Sequence, residues 1–139
     1  MKANELMIGD WVIFGDEPLK VQHIYNNGYN DIVAEIVEDG TNEYGVYEEI
    51  KDVPVVYCSP IPLTPEILEK NGFIKVNSQR YDYGCPDTDC YVKVNPKKNM
   101  IHVSGRNANS NLYSHSFVHE LQQALRLCGL NEIADNFKL

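Results

Sequence analysis

Pro60-Ile61-Pro62-Leu63-Thr64-Pro65-Glu66-Ile67-Leu68-Glu69-Lys70-Asn71-Gly72-Phe73 divides the chain. The prolines at 60, 62 and 65 hold φ near the extended value and remove three backbone donors. Residues before proline are pushed away from helix, so 59–63 is expected to run as an extended connector and not as a central strand. Thr64 then stands where an N-cap belongs, and Pro65 takes the first helical position, where its missing N–H costs nothing. Glu66 suits the positive helix end. Asn71-Gly72 marks the stop, with Gly72 as the left-handed residue past the cap. Ile67 and Leu68 form the apolar face of this helix, and Phe73 packs just beyond it. Pro62 and Pro65 also have the spacing of a Pro-x-x-Pro peptide ligand, a compositional signal that a plain connector explains as well.

Upstream, the chain reads as short strands. Gly9-Asp10 is a turn and Trp11 to Phe14 a strand rich in β-formers. Gly15-Asp16-Glu17-Pro18 turns again, and Leu19 to Asn26 is the next strand. Asn27-Gly28 is a strong hairpin signal, with Tyr29 to Glu38 returning. Asp39-Gly40 predicts another tight turn, Asn42 to Glu48 another strand, and Asp52 to Cys58 closes the set. Five short strands at near-regular spacing predict a small antiparallel barrel over 1–63, and the pattern around Gly9-Asp10-Trp11-Val12 and Pro18-Leu19-Lys20-Val21 is similar to SH3-like barrels.

Downstream, 64–139 predicts an α+β unit. Phe73 to Val76, Arg80 to Tyr83, Cys90 to Asn95 and Met100 to Ser104 read as antiparallel strands. Tyr81 and Tyr83 share a face, and Val92 and Val94 oppose Tyr91 and Lys93. Gly105 to Asn111 reads as an exposed polar loop. Ser114 or Ser116 is expected to cap a helix that Gly129 stops. Phe117, Val118, Leu121, Ala124, Leu125 and Cys128 form its apolar stripe, which lies across the second sheet. A last short turn carries Ile133, with Phe137 as an anchor. The fold class is therefore α+β: a barrel-like half, a short helix, and an antiparallel sheet covered by one C-terminal helix.

Net charge is −8 and unevenly placed. Residues 1–63 hold twelve acids against three lysines, a net of −9, whereas 64–139 hold eight acids and nine bases, a net of +1. The first half would repel a phosphate backbone, so nucleic acid is a disfavoured partner. A solvated acidic surface serves solubility, and the same surface can also dock a basic partner. No apolar run is long enough to span a membrane, and Met1 to Leu6 lacks the apolar core of a signal peptide, so a cytoplasmic location is expected. Cys58, Cys85, Cys90 and Cys128 are then expected reduced. Cys58 and Cys128 look like small core residues.

The opening Met1-Lys2-Ala3-Asn4-Glu5-Leu6 with Ile8-Gly9-Asp10-Trp11-Val12, the stretch 60–73, and Val118-His119-Glu120-Leu121-Gln122-Gln123-Ala124-Leu125 together resemble a family of small proteins of unknown function. Its members occur in anaerobic gut bacteria and their phages and mobile elements. The resemblance implies a bacterial setting and strands first, α+β second; it implies no activity, substrate or catalytic residue.

His115-x-x-x-His119 puts two imidazoles one helical turn apart, and Cys85-x4-Cys90 could add two thiolates, so Cys85, Cys90, His115 and His119 are weak zinc candidates. Neither pair alone is a specific signature, and no cofactor is expected. His119-Glu120 lacks the metalloprotease order, and no nucleophile elbow or glycine-rich phosphate loop is present, so no enzyme is expected. Tyr29, Tyr44 and Tyr47 flank turns among carboxylates that include Glu48 and Glu49. Tyrosine with carboxylate suits a basic or proline-rich peptide. The expected function is a non-enzymatic protein-interaction module of a bacterial or phage accessory protein. The alternative is nucleic-acid contact through Tyr91, Lys93, Lys97, Lys98 and Arg106, grouped around one hairpin end.

Overall fold

A computed structural model of the 139-residue chain describes residues 1–84, 90–105, 108–113 and 116–139, the side chains of 36–39, 42, 47–48, 90, 105 and 108–113 excepted. It is a mixed structure of antiparallel sheets and a few helices, divided into the units Met1–Pro60 and Ile61–Leu139.

The first unit holds β1 (Trp11–Phe14), β2 (Glu17–Lys20), β3 (His23–Asn26), β4 (Asp31–Asn42), β5 (Gly45–Pro54) and β6 (Cys58–Pro60). They form two three-stranded sheets, ordered β2-β1-β6 and β3-β4-β5. Among the described residues no ladder joins the two into a closed barrel. The stretch expected as one strand from Leu19 to Asn26 is split between the sheets. At the joint, Val21 donates its N–H to Asp10 O at 2.8 Å, and its carbonyl accepts from Gly9 N–H at 2.6 Å. Gln22 N–H turns to Ala34 O of β4 at 2.9 Å. Strands that change sheets in this way make the corners of packed sheets. Asp10 is fully buried, and its carboxylate accepts from Met7 N–H at 2.9 Å, which fixes the turn that clips the joint. Val12, Leu19, Val21, Val33, Val53, Val55 and Cys58 form one core drawn from both sheets.

Three boundaries differ from expectation. Asp39-Gly40 does not turn: β4 runs on to Asn42, and the reversal falls on Glu43-Tyr44 with Asn42 opposite Gly45. A register shift between Ile36 and Glu38 absorbs one residue as a bulge, so the ladder continues past the glycine. Pro54 ends β5, and Val55–Tyr57 forms a 3₁₀ turn in place of a strand to Cys58. Pro60 lies in a strand after all, and so does Pro18. Both β6 and β2 are edges of their sheet, where a missing donor is tolerated.

The second unit opens with residues of the connector already bound. Leu63 N–H donates to Ser116 O and Val118 N–H to Ile61 O, so 61–63 pairs beside the start of the long helix. Helix α1 (Pro65–Lys70) is capped as the sequence predicts, Thr64 Oγ1 accepting from Ile67 N–H at 3.3 Å. Its end is a Schellman motif: Gly72 N–H bonds Glu69 O and Phe73 N–H bonds Leu68 O, with Gly72 at φ +80°. Strands β7 (Ile74–Lys75), β8 (Tyr81–Gly84), β9 (Cys90–Asn95), β10 (Met100–Gly105) and β11 (Ala108–Tyr113) form one sheet, ordered β11-β10-β9-β8-β7. The expected Asn-rich loop is thus mostly the strand β11, because register with β10 (Gly105 opposite Ala108, Met100 opposite Tyr113) supplies the pairing its low propensity lacks.

Tyr81, Val92, Val94, Ile101 and Val103 are buried on the sheet face that shares a core with α2 (Val118–Leu127), which packs against β10. The cap of α2 is not a serine. Phe117 is the N-cap, and its N–H donates to Glu120 Oε2 at 3.1 Å; Ser116 takes the left-handed conformation just before it. Gly129 closes α2 with a second Schellman motif, Leu130 N–H to Leu125 O. Helix α3 (Asn131–Asp135) follows, tied back by Gln122 Nε2 to Ala134 O at 2.8 Å, and Phe137 is buried as an anchor.

Candidate functional site

Sheet β3-β4-β5 has two unlike faces. Val33 and Val53 point into the core, and Ile24 packs against it. On the same side Lys51 Nζ reaches Glu17 Oε2 at 2.9 Å and lies 5.5 Å from the centroid of the Phe14 ring. The opposite face carries His23 and Tyr25 from β3, Ala34 from β4, and Ile50 and Asp52 from β5. Register decides this set. His23 stands opposite Ala34, and Ala34 opposite Asp52, so a small side chain lies between an imidazole and a carboxylate.

A pocket of about 410 Å³ opens on this face, lined by Ile8, His23, Ile24, Tyr25, Ala34, Ile50 and Asp52. Ala34 is its buried floor, whereas Ile8, Ile50 and Tyr25 stand exposed around it. The Tyr25 hydroxyl donates to the Asp52 carboxylate, and this bond is the main reason the phenol titrates above its ordinary range. An apolar slot with one carboxylate, one imidazole and one aromatic ring can hold a group that is greasy along its length and polar or charged at its tip.

The tyrosines expected to mark the surface lie elsewhere on the same unit. Tyr29 is 91% exposed in the 27–30 loop, and Tyr44 is 89% exposed in the Glu43-Tyr44 turn. These positions are at opposite ends of β4, whose 12 residues span roughly 40 Å. Tyr29 and Tyr44 therefore do not form one compact site. Glu49 lies on β5 and is exposed; Tyr47 and Glu48 lie on the same strand, with side chains outside the described set. His23 and Asp52 were not singled out by the sequence. The His23-x-Tyr25 alternation is visible in it, but the placement of Asp52 depends on strand register.

In the second unit, the sheet face turned away from Val92 and Val94 carries Asp82, Lys93 and His102 in one cross-strand row. Arg80 grips Asp82 with two bonds of 2.8 Å, from Nε to Oδ1 and from Nη2 to Oδ2. Tyr91 Oη donates to Asp82 Oδ2 at 2.8 Å, and Lys93 Nζ lies 4.9 Å from the Tyr91 centroid. Tyr91 is only 6% exposed, so its ring is not a free platform for a base. Lys97 and Lys98 are exposed in the 3₁₀ turn Pro96–Lys98 at one end of β9 and β10. Gly105, the residue before Arg106, ends β10 at the other end. Arg106 itself lies outside the described residues. Of the expected grouping, Lys97 and Lys98 stand at that hairpin end and Lys93 lies in the sheet.

Of the zinc candidates, His119 is buried on α2 with its ring stacked on Phe117 at 6.0 Å. Cys85 and His115 lie outside the described residues, as does the Cys90 side chain. Among the described residues no three metal-ligating side chains converge. Cys58 and Cys128 are buried thiols, and burial raises the Cys58 pKa. No described helix is long and apolar enough to cross a membrane. Compared with known proteins, the chain matches no protein family, no curated protein and no solved structure.

Proposed function

We propose that this chain is a non-enzymatic protein-interaction module, and that Met1–Pro60 is its docking unit for a basic partner. One observation carries the reading. Among the described residues, nine of the twelve exposed large apolar or aromatic side chains belong to this unit: Met7, Ile8, Tyr25, Tyr29, Tyr44, Val46, Ile50, Val56 and Tyr57. The same unit holds the −9 charge excess. Exposed apolar groups set among charges of one sign are the composition of a surface that meets a partner of the opposite sign. The two sheets sharing a core through a corner strand are in keeping with an SH3-like arrangement. A cytoplasmic bacterial or phage accessory protein is the setting we propose.

The test is recovery of partners from a lysate of the source organism by the immobilised chain. Tyr44→Ala/Val46→Ser, on the exposed tip of the β4–β5 hairpin, should fold as wild type and lose the partners that moderate salt also releases. Equal recovery by wild type and variant would count against the reading.

A further inference from the structure

We infer that the pocket on the outer face of β3-β4-β5 receives the side chain of a lysine from the partner. This deepens the docking role given above to Met1–Pro60 and rests on it. The apolar lining of Ile8, Ala34 and Ile50 matches the four methylenes of a lysine stem, and the Asp52 carboxylate lines the same pocket. The Tyr25 ring beside it offers a π-face to an ammonium. The unit's acidic excess supplies the long-range attraction that brings a cation there.

The pairing of Tyr25 with Asp52, both lining the pocket, also selects among cations. Tyr25 already donates to the Asp52 carboxylate. A guanidinium binds a carboxylate best as a two-pronged fork and would have to displace the phenol, whereas an ammonium is a point donor that needs one oxygen. Lysine is therefore preferred to arginine, and the preference resides in the Tyr25 hydroxyl.

Titrating the ¹⁵N-labelled full chain with Nα-acetyl-lysine methylamide tests this, with the arginine, norleucine and Nε-acetyl-lysine analogues as controls. The lysine analogue should give saturable amide shifts confined to residues around Ile8, His23, Tyr25, Ala34, Ile50 and Asp52. The norleucine and Nε-acetyl-lysine analogues should bind about tenfold more weakly, because each lacks the charge-assisted bond. Asp52→Asn should remove the difference between lysine and norleucine while the rest of the spectrum stays dispersed. Tyr25→Phe, which keeps the ring and releases the carboxylate, should raise arginine binding to at least the level of lysine. The inference is overturned if norleucine binds as well as lysine, if arginine is preferred by the wild type, or if no localised shift occurs at concentrations on the order of tens of millimolar. The hairpin-tip variant of the lysate experiment leaves this pocket intact, so failure of the pocket and failure of the docking role are read separately.

Discussion

The side-chain amide of Asn71 pairs with the backbone of Lys138 in both directions. Its Nδ2 donates to Lys138 O at 2.7 Å, and its Oδ1 accepts from Lys138 N–H at 2.8 Å. The same Nδ2 also donates to Ile67 O at 2.7 Å, so one residue joins the end of α1 to the C-terminal segment. Asn71→Ala should cost about 2–3 kcal/mol in chemical denaturation, given about 1 kcal/mol for each of the net hydrogen bonds it loses. Hydrogen exchange at Lys138 should accelerate with it. Asn71→Asp keeps the acceptor and loses the donor, so it should protect the Lys138 amide and recover only part of the stability.

Leu121 is fully buried on α2. Leu121→Ala should cost about 2–5 kcal/mol, the spread reflecting how far the cavity can collapse. Leu121→Asp puts an unpaired carboxylate in the same place and should abolish dispersed amide signals from Ile61–Leu139. An Asp variant that unfolds no more readily than the Ala variant would show that α2 is not the cover of that sheet.

Glu17 titrates below its ordinary value of 4.5, first because of its hydrogen bond to Lys51 and then because of that lysine's charge. A carboxyl with a lowered folded-state pKa stabilises above the unfolded pKa, and the contribution disappears as pH falls through the folded one. Wild type and Glu17→Gln should therefore differ most at neutral pH and converge in acid below pH 4.5. Both groups touch solvent, so the difference should be small and should shrink in salt. A gap that widens in acid would assign the interaction elsewhere.

Tyr91→Phe removes one hydroxyl from a buried ring and leaves the Arg80–Asp82 pair in place. The lost bond is to a carboxylate, so a cost of about 1–2 kcal/mol is expected from thermal or urea unfolding. Asp82→Ala should cost more, since it removes an acceptor from both the phenol and the guanidinium. If Tyr91→Phe is neutral, the hydroxyl is equally well solvated without Asp82.

The parts legible in the sequence are those fixed by neighbours. Thr64, Pro65 and Gly72 specify α1 through local chemistry alone, and Gly129 does the same for the end of α2. The alternation of Val92 and Val94 against Tyr91 and Lys93 also holds without knowledge of the partner strands. What escaped depends on pairing. A bulge between Ile36 and Glu38 carries β4 through Asp39-Gly40, and a neighbouring strand recruits the asparagines of β11. Phe117 replaces a serine as cap because Glu120 reaches back to its N–H. The pocket was hidden for the same reason: His23, Ala34 and Asp52 are eleven and eighteen positions apart along the chain and meet only once three strands are in register.

The corner at Val21-Gln22 makes the chain unequal in its tolerance of added or deleted residues. Lengthening the Glu43-Tyr44 tip would merely extend an arm. One residue inserted between Leu19 and His23 would instead invert β3, sending Ile24 to water and Tyr25 to the interior. Descendants of this sequence that vary in length should accumulate their changes at the tip and keep the corner at constant length.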